Sequence, residues 1–366
     1  ASTSEISGNL IRSIVVTGTS LVGSNFTGIQ VTNGNVNITE NEIGDSTSTS
    51  SIDISGWSGN NSSAYGIKLS GSGNCTTNGN SIFGFRYTRT NSALVNHIVI
   101  SSALSGNWNC ENNIVGSSLA NSISNTSTNT NTVTNGIQSL GGTAFISGNI
   151  IRNLNTSGGT IYSSQPPACF TGIHIAGGAN NTISKNIIHT LTNTNPDTNG
   201  NGGAGIVTGL YLNGSGMNIA EKNFVHSLFV NSRIGQITGI RADNGTNAVR
   251  NNMIRLGVDA SGNGINFGLP IYGIHDYSGA NNFNFNSVFL GGNPKGPYSS
   301  GTYCVYSNST SSVRNYYNNI LYNARSNNGS TGIHATFRSD QLAGFSSNYN
   351  ILFAPGTGGI IGYSLG

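Results

Sequence analysis

Seven aspartates, five glutamates and six histidines supply nearly all the acid–base chemistry open to this chain of 366 residues. Cleaving a glycosidic bond needs two carboxyl groups held about 5 to 9.5 Å apart. The aspartates stand at 45, 53, 197, 243, 259, 276 and 340, with no Asp-Asp pair and no Asn-Thr-Asp motif among them. Only Asp243 and Asp276 suggest a constellation, since Arg241 and His275 lie beside them. The cysteines, Cys75, Cys110, Cys169 and Cys304, form neither a CxxC pair nor a zinc spacing. No metal centre and no cofactor site is expected from these residues.

Whether any of these side chains can meet depends on the elements that carry them. An asparagine recurs at Asn9, Asn41, Asn80, Asn113, Asn149, Asn186, Asn223, Asn252, Asn286, Asn319 and Asn350, each beside a short apolar β-like run. The spacing averages about 34 residues along the whole chain, a period that marks one supersecondary unit stacked on its own copies. Upstream of each asparagine is a second landmark, as in Gly136-Ile137, Gly172-Ile173, Gly239-Ile240 and Gly332-Ile333. His97-Ile98 and Cys304-Val305 take that place in two repeats. Between the landmarks run Gly/Asn/Ser turns.

Each repeat thus holds about three β-segments too short to bury a face alone. Stacked in register about 4.8 Å apart, they enclose a continuous apolar cylinder. Apolar residues recurring at period two exclude long helices. The expected fold is all-β: one right-handed parallel β-helix over residues 1–366, about eleven coils of three strands. Ser/Thr/Asn-rich stretches near 119–135 and 190–205 read as surface loop insertions. The asparagine column reads as a structural ladder of stacked amides.

On this fold Asp243 and Asp276 fall on adjacent coils, offset from their landmarks by counts that differ by one. Their side chains should then point to opposite faces. The residue after each landmark apolar residue should face outward: Gln30, Lys68, Val99, Gln138, His174, Tyr211, Arg241, His275, Tyr306 and His334. A second outward column follows the asparagines: Arg152, His189, His226, Arg255, Phe289, Tyr322 and Phe353. Aromatic and imidazole faces with arginines between them could line a strip for surface glycans or a protein contact. The simpler reading, preferred for both columns, is that like residues stack only to cover the strands beneath, since solvent-facing strand positions commonly carry such side chains. The grouping of Phe289, Tyr322 and Phe353 toward one end favours an interaction surface. Cys75 and Cys110 fall near equivalent positions of neighbouring coils, which makes them a candidate disulfide.

Composition narrows the setting. Charged residues make up 7% of the chain, against about 25% in ordinary domains. The formal charge of +3 is too dilute for a nucleic-acid footprint. No apolar run approaches the ~18 residues of a membrane span, and no basic-then-apolar leader opens the chain. Those features fit a mature secreted protein. Thr-rich ladders of the ice-binding kind are not expected, because stretches such as 126–134 are irregular.

The phrases Thr171-Gly172-Ile173-His174-Ile175, Asn181-Thr182-Ile183-Ser184-Lys185-Asn186-Ile187-Ile188 and Ser347-Asn348-Tyr349-Asn350-Ile351-Leu352-Phe353 carry a likeness. The pattern resembles right-handed parallel β-helix repeats of the pectate-lyase-like superfamily. More narrowly, it is similar to Gly/Asn/Ser-rich secreted surface proteins of Bacteroidetes-type bacteria. The resemblance implies an extracellular location on a bacterial cell surface, and Asp45-Ser46-Thr47 resembles an O-glycosylation acceptor of such proteins. Pectin-degrading members use clustered carboxylates, which this chain does not present.

Solenoid ends carry unsatisfied strand edges. Repeat sequence begins within the first dozen residues and runs nearly to the last. Either a larger parent chain or head-to-tail self-association into a filament is therefore expected. The expected function is a non-catalytic structural or adhesive β-helix; the alternative is one that binds or degrades polysaccharide.

Overall fold

The computed structural model describes residues 2–18, 24–56, 61–89, 94–160, 166–195, 204–295, 300–310 and 313–364. Within them short segments alternate between core and solvent, as in Asn180–Ser184, where Asn181 and Ile183 are buried and their neighbours are not. Such a segment hydrogen-bonds only to its equivalents one coil before and after. The result is a right-handed parallel β-solenoid with three parallel sheets. The first sheet has eleven strands, from Ser4–Ser7 to Phe345–Asn348. The second has sixteen, eleven of them on the path from Leu10–Ile11 to Ile351–Phe353. The third has eleven, from Phe26–Val31 to Gly359–Ser364. A representative coil runs through Phe170–Ile175, Asn180–Ser184 and Ile187–Asn193.

Because each residue stacks on its counterpart, the core consists of columns. In the second sheet Ile43, Ile82, Val115, Ile151, Ile188, Val225, Ile254, Val288 and Leu321 pair in succession. In the third, Ile137, Ile173, Leu210, Ile240 and Ile274 do the same. Each fully buried aliphatic side chain contributes roughly 1.5–3 kcal/mol. The glycine of the third-sheet landmark is demanded by these columns. A Cβ on Gly172 would lie 2.4 Å from Ile188 and 2.7 Å from the Gly209 carbonyl.

The turn from the first sheet into the second sets the coil shape. The residue before each of the eleven ladder asparagines has φ between 54° and 67°. Three are glycines, Gly8, Gly79 and Gly148; the rest, including Lys185, Lys222 and Tyr349, carry side chains there. A left-handed residue with a Cβ costs about 1–2 kcal/mol, so something must hold the corner.

The asparagine amides hold it. Each Nδ2 donates to the Oδ1 of the next coil's asparagine, at 2.8–3.1 Å over all ten steps from Asn9 to Asn350. The same Oδ1 accepts the backbone N–H of the preceding coil's asparagine, as Asn186 Oδ1 does from Asn149 at 3.0 Å. The second Nδ2 proton goes to a carbonyl one coil back, Ile146 in the case of Asn186. A shorter ladder, Asn181, Asn218, Asn247 and Asn281, repeats the device where the first-sheet strands begin.

Two expected features fall out differently. Residues 121–135 do not loop away: Ile123–Asn125 forms a second-sheet strand between Phe85–Arg89 and Ile150–Thr156. Ser122, Ile123, Asn125, Ser127 and Thr132 are wholly buried. Short hydroxyl and amide side chains satisfy one another there, as Thr132 Oγ1 does with Ser127 Oγ at 2.9 Å. In the stretch at 190–205, positions 190–193 belong to the strand Ile187–Asn193, and 196–203 lie outside the described residues. The cysteines are free and buried. Cys75 stands opposite Trp108, and Cys110 opposite Thr77, so two positions of offset separate the candidate disulfide partners.

Asn186→Ala orphans the Asn149 donors, and Asn186→Asp sets a carboxylate oxygen against Asn223 Oδ1 and the Ile146 carbonyl. Both are expected to lower unfolding free energy by roughly 3–5 kcal/mol in urea titration. Ile188→Ala should cost about 2–5 kcal/mol by the same measurement, whereas its outward neighbour Ile187→Ala should cost under about 1. Equal losses at 187 and 188 would contradict the register.

Candidate functional site

The third sheet aligns Gln138, His174, Tyr211, Arg241, His275, Tyr306, Arg338 and Tyr363 in one column. At the earlier coils Gln30, Lys68 and Ser101 continue it. Two expected members are elsewhere. Val99 occupies the landmark glycine's place in its coil and packs into the core. His334 pairs with Thr302 inside the coil and is fully buried, sharing hydrogen bonds with Thr302 Oγ1 and Asn327 Oδ1. Val99 and Thr336 carry side chains where other coils have glycine, so His97-Ile98 and Gly332-Ile333 stood in as false landmarks.

Within the column the rings face one another along the axis. His174 lies flat on Tyr211, with centroids 4.9 Å apart and planes 9° off parallel, and His275 on Tyr306 at 4.9 Å and 12°. An Arg-x-Asp unit recurs with a tyrosine from the preceding coil. Arg241 Nε donates to Asp243 at 2.8 Å, and the Tyr211 hydroxyl donates to the same carboxylate at 2.8 Å. Arg338 Nε donates to Asp340 at 2.9 Å, and Tyr306 to Asp340 at 2.8 Å. Between the two units, His275 accepts from Arg241 at Nδ1 and donates from Nε2 to Asn308, the neutral tautomer. Burial and Arg241 together hold this imidazole well below its usual pKa. Burial and the adjoining carboxylates raise the Tyr211 and Tyr306 phenols. The recurrence of Arg241-Ala242-Asp243 and Arg338-Ser339-Asp340 is the sequence signal that would have found Arg338 and Asp340 beforehand.

Asp243 and Asp276 are divided by the backbone. Asp276 pairs with Ala242 and turns inward, accepting from Ser307 at 2.8 Å and from Tyr316 and Asn281. Burial raises its pKa, and these three donors pull it back. Arg314, also fully buried, donates to Ser307 Oγ at 2.9 Å and to backbone carbonyls. This network seals the interior where the short asparagine ladder stops. No open carboxylate pair faces solvent here.

The second-sheet column is in continuous register: Arg152, His189, His226, Arg255, Phe289, Tyr322 and Phe353. Its aromatic members are not flat on one another, since Phe289 meets Tyr322 at 85° and Tyr322 meets Phe353 at 52°. Beside them a groove of about 260 Å³ is lined by Phe224, Met253, Ile320 and Arg255 among others.

Burial pushes the Cys110 thiol up to about 12 and that of Cys304 well above its usual range, so neither is a ready nucleophile. Among the described residues, no three His, Cys, Asp or Glu side chains gather as metal ligands. None of their helices is long and apolar enough to cross a membrane. No family model, characterised protein or solved structure matches this chain.

All six histidines are harder to protonate in the fold than in a free chain. Burial leads in each case, taking His97 to about 3 and His174, His226 and His334 to about 4. Below about pH 6.5 the unfolded chain therefore binds more protons, and stability drains as pH falls toward 4. Asp276 works in the opposite direction, its raised pKa favouring the fold only in acid. Thermal midpoints should be flat from about pH 7 to 9 and fall steeply below about 6.5, with His97→Leu lessening the slope. A midpoint unchanged between pH 7 and 4.5 would contradict the burial of these imidazoles.

Proposed function

We propose that this chain is a non-catalytic structural and adhesive rod of an extracellular bacterial surface. One observation carries the reading: the carboxylates of the third-sheet column, the constellation closest to a catalytic one, are bonded to their neighbours. In the third-sheet column Asp243 and Asp340 are each taken by an arginine and a tyrosine. A general base must reach the proton it removes, and none of these groups is left open to do so. Stiffness, by contrast, is supplied throughout, because the long amide ladder and three parallel sheets tie each coil to the next, and the shorter ladder reinforces the coils from Asn181 to Asn281.

The polar, sparsely charged composition and the likeness to secreted repeat proteins support the extracellular setting. Head-to-tail stacking of copies would seat a further coil on the last described one. The coil ending at Phe345–Asn348, Ile351–Phe353 and Gly359–Ser364 has an open strand edge, with Leu342, Ile351 and Ile361 exposed. A further coil in the same register would cover them.

Two measurements test the reading. Incubation with acidic polysaccharides, with and without calcium, should release no new reducing ends and no unsaturated uronide absorbance. Negative-stain microscopy of the purified chain should show filaments of uniform width. Polymer cleavage would overturn the non-catalytic part, and dispersed single rods the stacking part.

A further inference from the structure

The two outward columns differ in what they leave available. On the third sheet Arg241 and Arg338 each hold an aspartate, and the rings beside them cover one another. On the second sheet, four cationic or ionisable groups stand in a file with no carboxylate among them: Arg152, His189, His226 and Arg255. Neither arginine forms an ion pair within the described residues. Arg152 Nε donates to the Gly116 carbonyl at 3.1 Å, and Arg255 Nη1 makes a long contact of 3.5 Å with the Asp259 carbonyl. The Asp259 carboxylate itself is taken by Asn263.

The imidazoles are set in one orientation. His189 and His226 stack 4.7 Å apart with planes 3° from parallel. Each Nδ1 shares a hydrogen bond of 2.9 Å with the next residue's hydroxyl, Thr190 or Ser227. Both Nε2 atoms are thereby left without a protein partner among the described residues, on half-buried side chains. The charged groups acting on the pair are Arg152, Arg255 and the other imidazole, and all three oppose protonation. The flanking outward positions, Ile187, Phe224 and Met253, are apolar. Such a file repels itself, and an anion laid along it would relieve the repulsion.

We propose that this strip binds a linear anionic polysaccharide along the solenoid axis, its acid groups on Arg152, His189, His226 and Arg255 and its sugar rings against Phe289 and Tyr322. The polymer is singled out by the geometry. Donors recur at the coil spacing in a line one side chain wide, which suits a chain with an acid group on successive units and not a broad charged surface. The tilted rings and the adjoining 260 Å³ groove offer apolar faces to sugar C–H groups. Nucleic acid would need a wider basic footprint than a net charge of +3 supplies. The inference rests on the reading of the chain as a non-catalytic rod and names what its adhesive face holds.

The test is binding of the full chain to dextran sulfate and to polygalacturonate, with neutral dextran and single-stranded DNA as comparisons. Affinity for the acidic glycans should fall about tenfold on raising salt from 0.05 to 0.2 M. It should rise about tenfold from pH 7.5 to 5.5, because bound anions favour charged imidazoles. The R152Q/R255Q double variant should bind about tenfold more weakly at both pH values, and H189Q/H226Q should lose the pH response of binding while keeping its thermal midpoint at pH 7.5. Phe289→Ala should weaken glycan binding without changing the salt slope. Binding equal to neutral dextran, preference for DNA, or affinities indifferent to the arginine pair would each overturn the proposal. The recovered polymer's chain length separates the two readings: bound but shortened polymer would sink the non-catalytic function and leave the strip standing.

Discussion

A left-handed corner before each ladder asparagine is the constraint on which the rest of the molecule depends. Eleven such corners turn the chain from the first sheet into the second, and most hold a residue with a Cβ. Their cost is met by the amide behind them, which satisfies a backbone N–H, a backbone carbonyl and the next amide at once. No other side chain has both donor and acceptor at that reach. Aspartate would set oxygen against oxygen, and alanine would leave buried donors unpaired. Once the corners are locked at one height per coil, the aliphatic columns and the outward columns follow as geometry.

That dependence explains what was legible in the sequence. The asparagines mark the corner directly, so the coil period, the three-strand repeat and the second-sheet columns could be read from letters alone. Arg152, His189, His226, Arg255, Phe289, Tyr322 and Phe353 lie in register because each sits three residues after its asparagine. The third sheet was harder, because its landmark glycine is a packing requirement and not a hydrogen-bonding one. Val99, Cys304 and Thr336 meet that requirement with side chains, and His334 was consequently placed outside when it lies within. The Asn/Ser/Thr stretch at 121–135 misled for a related reason. Composition says such residues favour turns, but stacked in register their hydroxyls and amides satisfy one another in the interior.

The same stacking decides which surface is chemically open. On the third sheet, equal spacing lets imidazole, phenol and guanidinium lie face to face, and Asp243 and Asp340 answer Arg241 and Arg338. On the second sheet, Arg152 and Arg255 bracket two parallel imidazoles with no acid to answer them, and the aromatic file beyond is tilted. A fold that makes every coil alike in its core thus yields two faces that differ in kind.

The most direct test of the account is side-chain amide hydrogen exchange, followed by NMR on asparagine-labelled protein. If the corners depend on the ladder, the Nδ2 protons of buried Asn113, Asn149, Asn186, Asn223 and Asn252 should exchange only through global unfolding, while those of exposed Asn33 exchange freely. Ladder amides exchanging as fast as Asn33 under native conditions would contradict it.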